Sequence, residues 1–133
     1  MAALLRLNQV TAGFGQTVIV EGVSFALDQG GVLAVLGRNG VGKSTLMKTI
    51  AGQTRMHAGT IELCERQIGL LPSYDRARGG IGYVQQTRDI FRSLTVEENL
   101  LVAAQSGPWN LDRVYDLFPN LKSRRRNGGH EIS

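Results

Sequence analysis

One run restricts the fold of this chain more than anything else in it: "GRNGVGKST", residues 37–45. It fits the order glycine, four residues of any kind, glycine, lysine, then serine or threonine. Gly37, Gly40 and Gly42 leave the backbone free to curl until successive N–H groups point inward. A helix that follows such a loop turns its positive N-terminal end toward the same spot. That arrangement suits phosphate oxygens. Lys43 can reach the β- and γ-phosphates, Ser44 offers a hydroxyl to Mg²⁺, and Thr45 can hydrogen-bond a phosphate oxygen further back. Arg38, Asn39 and Val41 complete the loop.

A bare pattern also fits a glycine-rich turn with an ordinary surface lysine, so its setting decides. The preceding run, "VLAVLG", is apolar at every position, as expected of a strand covered on both faces in a parallel sheet. The following run, "GKSTLMKTIAG", places Leu46, Met47 and Ile50 at helical spacing, with Gly52 as a C-terminal stop. Strand, glycine loop and helix therefore succeed one another without a gap, which favours nucleotide binding. Upstream, "LLRLNQVTAGFG" and "TVIVEGVSFALDQGG" alternate apolar and polar residues, with Glu21-Gly22 and Gln29-Gly30-Gly31 as punctuation. These read as short antiparallel strands.

Beyond the helix, "GTIELCE" predicts a strand, "PSYDRAR" a short helix opened by proline, and "GGIGYV" another strand. "SLTVEENLLVAAQ" carries a strong helix start, because Thr95 can cap it and Glu98 can complete a capping box. Asn110 can cap a further helix through "LDRVYDLF", which Pro119 helps to end. "NGGHE" reads as a loop with no partner element after it. There is no internal repeat and no low-complexity segment.

With 133 residues, 42% of them hydrophobic, the chain has the material for one domain and one core. It has neither a signal-peptide core nor about 18 consecutive apolar residues, so the expectation is a soluble, cytoplasmic chain. Cys64 cannot form an internal disulfide, and beside "TIELC" it is expected to pack as a small hydrophobe rather than act as a thiol. The net charge of +4 is wholly local. Of the 15 Lys and Arg residues, Lys122, Arg124, Arg125 and Arg126 fall in "KSRRR", and those left equal the 11 Asp and Glu residues. No aromatic is interleaved there, so a solvated helix end or anion-facing turn is expected rather than a nucleic-acid surface.

The order of segments resembles the ATP-binding subunit of an ABC transporter over essentially the whole chain. The resemblance implies an α/β fold: an incomplete P-loop NTPase core with an N-terminal antiparallel β part and the start of a helical subdomain. It divides one incomplete domain, residues 1–133, into a β part with the phosphate-loop core (1–84) and a Q-loop with partial helical subdomain (85–133). In the stretch "TAGFGQTVIVEGVSF", the family stacks an aromatic on adenine, a role that falls on Phe14. A Phe packed in a hairpin is the alternative. "IGYVQQTRDIFRSLTVEENL" resembles the Q-loop region, where a glutamine touches Mg²⁺ and the attacking water; that glutamine is Gln86, with Gln85 as second choice. The finer match, carried by "TRDIF" before "LTVEENL" and by "VYDLFPNLKSRRRNGG", is to importers of branched-chain amino acids and of urea.

The last residues, "GGHEIS", fall where the family runs into its signature LSGGQ, with Ile132 and Ser133 on the first two positions. The resemblance therefore implies that the chain ends inside that motif, before the Walker B aspartate, the catalytic glutamate and the switch histidine. No carboxylate in the chain is assigned the water-orienting role, and His57 and His130 are expected to be solvated loop residues. What the family brings with it is ATP and Mg²⁺ as cofactors, a second ATPase subunit in a head-to-tail dimer, membrane permease subunits, no nucleic acid, and a place at the inner face of the cytoplasmic membrane. Three functions follow: the transport-coupled ATPase of a solute importer, a shortened nucleotide binder or inert gene fragment without turnover, and a soluble ABC protein acting on nucleic acid. The third would need basic residues spread beyond 122–126. The apolar strand 32–37 is also expected to want parallel neighbours, which would leave the isolated chain marginally stable.

Overall fold

Leu7, Val10 and Ala12 of the first strand are all buried, although a pleated strand cannot turn residues three apart to one face. The strand solves this with a bulge. In the computed structural model, which describes residues 3–87 and 89–132, β1 (Leu5–Phe14) is flanked by β2 (Thr17–Leu27) and β3 (Arg55–Leu63). Its register slips between Leu7 and Val10 against β2, and between Asn8 and Thr11 against β3. Gln9 supplies the extra residue with a φ of 46°. Its displaced amide donates to Ser24 Oγ at 2.8 Å, and the amide of Gly22, in the compensating irregularity of β2, donates to Thr11 Oγ1 at 3.1 Å. Both backbone groups are thus satisfied without the ladder.

The sheet runs β2-β1-β3-β4, antiparallel throughout, with β4 limited to Arg66–Gln67. Leu7, Val10, Ala12, Val20, Ile61 and Ile68 form its core, and Leu46 of α1 (Lys43–Ala51) closes it from above. α1 ends at Gly52, whose φ of 84° is the left-handed stop expected of a glycine there. α2 (Ser73–Arg78) is opened by Pro72, as the sequence predicts.

Four expectations fail in this part of the chain. Residues 32–37 form no strand: Val32 is 96% and Leu36 89% exposed, and only Val35 leans on the core. "GGIGYV" likewise forms none, with Val84 exposed and Ile81 alone resting on the core. The reason is shared, since a strand exists only through a paired ladder and none of the described strands pairs with either run. Cys64 is exposed rather than packed, because Cys64 and Glu65, with φ of 49° and 64°, make the two-residue turn between β3 and β4. His57, expected in a loop, lies exposed within β3.

By internal packing the chain divides into two compact units, Met1–Tyr83 and Val84–Ser133. The second holds α3 (Val96–Val102), α4 (Leu111–Leu117) and α5 (Pro119–Ser123). The capping box at Thr95 and Glu98 is present, and Asn110 Oδ1 accepts from the Arg113 amide. Pro119 opens α5 instead of merely ending α4, since its missing N–H is no loss at a first helical position. The sequence "NGGHE", read as a loop with no partner element after it, packs back on an earlier one. Asn127 and Arg125 carbonyls accept from the Val96 and Glu97 amides at 3.0 Å, Gly128 bridges to Thr95, and Gly129–Glu131 form a short 3-10 turn. The free amides of the first turn of α3 are in this way satisfied by the end of the chain. Tyr115 of α4 is buried and its hydroxyl donates to Glu97 Oε2 at 2.8 Å. Ser133, the second position of the signature match, and Arg88 of "TRDIF" lie outside the described residues.

Candidate functional site: the glycine loop and the start of helix α1

Gly40 and Gly42 take φ of 83° and 102°, left-handed values that let the chain reverse twice before entering α1. Gly42 has a second reason to lack a side chain, because a Cβ there would approach the Ile19 carbonyl oxygen at 3.2 Å and Val20 Cγ2 at 3.3 Å. β2 is thus the wall against which the loop is laid. The first helical bond runs from the Leu46 amide to the Gly42 carbonyl at 2.8 Å.

The start of α1 differs from those of α3 and α4. α3 and α4 each have a side-chain cap and acidic residues in the first turn: Thr95 with Glu97 and Glu98, and Asn110 with Asp112. α1 has no side-chain cap and no acid in its first turn. Its N–H groups and its positive end are left for an external anion, with Lys43 as the first helical residue. The Lys43 ammonium folds over the loop and donates to the Gly37 and Arg38 carbonyls at 2.6 and 2.7 Å. Ser44 is exposed at the same end. Thr45 is buried, and its carbonyl accepts from Thr49 Oγ1 at 2.7 Å, which in turn meets Thr54 Oγ1 at 2.8 Å.

These features fit a polyphosphate with a divalent cation. The loop supplies amides, a cation and a hydroxyl, whereas no cluster of three metal-ligating side chains occurs among the described residues. Mg²⁺ would consequently depend on phosphate oxygens and water for most of its ligands, as that ion ordinarily does. A cleft of about 490 Å³ adjoins the loop, lined by Val23, Phe25, Leu33, Leu36 and Lys43. A larger one, about 820 Å³, lies in the second unit around Leu101, Pro108 and Trp109. No lysine, arginine or histidine lines it, so it is unsuited to a phosphate.

Residues 37–45 are therefore brought together as one loop and helix start. Phe14, at the end of β1, is about half exposed, and the Lys48 ammonium of α1 stands 5.8 Å from its ring centroid. Gln85 and Gln86 are both exposed, Gln86 in a turn, and belong to the second unit. Arg76, by contrast, escaped the sequence reading. It is 3% exposed and donates four hydrogen bonds to carbonyls of residues 49, 50, 69 and 71. Burial lowers its pKa from the ordinary guanidinium value. No local sequence signal marked it, because its acceptors are main-chain carbonyls brought together only by the fold.

Comparisons with known proteins agree with this geometry. The sequence model of the family described as "ABC transporter" matches residues 20–131. A probable branched-chain amino acid transport ATP-binding protein LivF of Archaeoglobus fulgidus is 37% identical over 125 residues, covering 90% of this chain and 53% of that protein. The lipopolysaccharide export system ATP-binding protein LptB of Escherichia coli K12 is 41% identical over 140 residues, covering all of this chain and 58% of that protein. The ribose import ATP-binding protein RbsA of Bacillus licheniformis is 34% identical over 101 residues, covering 76% of this chain and 20% of that protein. Among solved structures, an ATP-binding subunit of an ABC transporter superposes with a TM-score of 0.78 at 28% identity, over 98% of this chain and 56% of that one. The chain belongs to the ABC transporter family, and to its ATP-binding domain. Its fold is accordingly the α/β core of that domain in part, and it spans little more than half the length of these LivF and LptB relatives. No helix among the described residues is long and apolar enough to cross a membrane.

Proposed function

We propose that the chain binds ATP through residues 37–45, with Ser44 offered to Mg²⁺ and Phe14 against the adenine, as part of a transport ATPase; a metal role for Gln86 is carried by the family resemblance alone. The observation that carries this reading is the start of α1: glycines in left-handed conformation, an uncapped helix end free of acid, and Lys43 poised across the loop. Amides and helix end neutralise phosphate charge at fixed positions, and Lys43 exchanges its loop carbonyls for phosphate oxygens as they arrive. Mg²⁺, when bound with the nucleotide, offsets the charge on the β- and γ-phosphates.

Three further parts of the reading rest on kinship. One is hydrolysis driving solute uptake. The second is assembly with a second ATPase subunit and permease subunits at the inner face of the cytoplasmic membrane. The third is a branched-chain amino acid as the solute, for which the LivF relative speaks, while relatives named for ribose import and lipopolysaccharide export share the same loop-bearing domain. Solute choice is made by other subunits, so the ATP-binding part records it only through descent. A second reading is nucleotide binding without turnover.

Titration of the chain with a fluorescent ATP analogue and Mg²⁺, alongside phosphate release, tests both. Saturable binding that Lys43→Ala removes supports the site, and binding equal in the two proteins would refute it. Phosphate release at the level of buffer alone would favour the second reading. Uptake of labelled leucine compared with labelled ribose, in source cells with and without the gene, tests the solute.

A further inference from the structure

Among the described residues, Arg76 is the one charged side chain that is buried. Its guanidinium lies at the end of α1 opposite the phosphate loop. Nη1 donates to the Thr49 and Ile50 carbonyls at 2.8 and 3.1 Å, both in the last turn of α1, where carbonyls have no intrahelical donor. Nη2 and Nε donate to the Gly69 and Leu71 carbonyls at 2.7 and 2.9 Å. The planar fork is thereby divided between the helix and the turn before α2. Gly52 makes room for it: with a φ of 84°, its added Cβ would stand 3.0 Å from Arg76 Nε. The Arg76 carbonyl in turn accepts from the Ile81 amide at 3.1 Å, at the start of the segment that leads to Gln86.

A nine-residue helix is too short to hold itself, so its direction is set by what grips its ends. At 1.5 Å per residue α1 is roughly 13 Å long, and a tilt of about 5° at one end moves the other by about 1 Å. That is the scale on which hydrogen bonds to phosphate are made or lost. We propose that Arg76 is a positioning residue for the phosphate loop: by tying the last turn of α1 to the 69–71 turn, it aims Lys43 and Ser44 at the nucleotide. This rests on the nucleotide-binding reading given above.

The test compares the affinity of the whole chain for a fluorescent ATP analogue with Mg²⁺ in wild type, Arg76→Lys, Arg76→Met, Lys43→Ala and Ile61→Val. Each is measured at a temperature where circular dichroism shows it folded. Ile61, in the core at β3, is the control for loss of stability alone. Arg76→Met is expected to weaken binding about tenfold or more, and Arg76→Lys less, because an ammonium keeps the charge but not the fork. Ile61→Val is expected to bind within about twofold of wild type at a lowered melting temperature. Arg76 variants that fold and bind like wild type would overturn the proposal, as would an Ile61→Val loss of the same size. If Arg76→Met does not fold, Arg76→Lys is judged alone by the same comparison. Failure of the nucleotide reading has a separate signature, equal binding by wild type and Lys43→Ala, and removes the proposal with it.

Discussion

The Lys43 ammonium lies 2.6 Å from the Gly37 carbonyl oxygen, so the lysine closes the loop that presents it. The same nitrogen reaches the Arg38 carbonyl at 2.7 Å, and neither bond is buried. Lys43→Ala should therefore weaken nucleotide binding by about 2 kcal/mol or more, the worth of a hydrogen bond to a charged group. Stability should change by less than about 0.5 kcal/mol, since water can serve both carbonyls. Calorimetric titration and a thermal melt read the two separately. A large loss of stability with intact binding would contradict the arrangement.

Gly40 and Gly42 are both left-handed, yet only Gly42 is crowded. Gly40→Ala meets open space and should cost about 1 kcal/mol for the backbone alone. Gly42→Ala adds contacts with Ile19 and Val20 and should cost about 2–3 kcal/mol. Urea unfolding of both variants gives the order directly, and the reverse order would show that β2 is not the wall behind the loop.

At the start of α3, Thr95 Oγ1 accepts from the Glu98 amide at 3.2 Å while Glu98 Oε2 accepts from the Thr95 amide at 2.8 Å. Thr95→Ala should destabilise by about 1 kcal/mol. Because the two bonds support each other, the Thr95→Ala/Glu98→Ala pair should lose less than the sum of the single changes. Additivity within error in chemical denaturation would mean that the box does not act as a unit.

Tyr115 predicts an alkaline weakness. Burial raises the pKa of its phenol above the ordinary value of 10.0, and the hydrogen bond to Glu97 and that carboxylate's charge raise it further, against a smaller opposing effect of Arg125. The folded chain thus holds this proton more tightly than the unfolded one. The contribution is complete below about pH 10 and disappears as pH rises through the folded value. Tyr115→Phe should lose about 1 kcal/mol at pH 7 with its hydrogen bond, and the fall in stability above pH 10 should be shallower than in wild type. Equal slopes would remove Tyr115 as the cause.

The phosphate loop, α1 with its Gly52 stop, and the caps at Thr95 and Asn110 were legible because each is fixed by residues close in sequence. Turn glycines and side-chain caps act over three or four positions. The runs 32–37 and 79–84 were misread for the opposite reason, as apolar content states a demand for burial but does not name the strand that meets it. Cys64 was misjudged because the turn at 64–65 uses residues that seldom take positive φ. Arg76 could not be seen at all, its four acceptors being main-chain carbonyls whose positions exist only in the fold.

The exposed run from Val32 to Leu36 leads directly into the glycine loop, with no backbone ladder along it among the described residues. Any β-segment that paired there would order the approach to Gly37 and remove part of the entropy lost when a ligand fixes the loop. Coupling of this kind is reciprocal. A nucleotide held at Lys43 would favour that pairing by the same free energy with which the pairing favours the nucleotide, making the run 32–36 and the mouth of the loop two ends of one equilibrium.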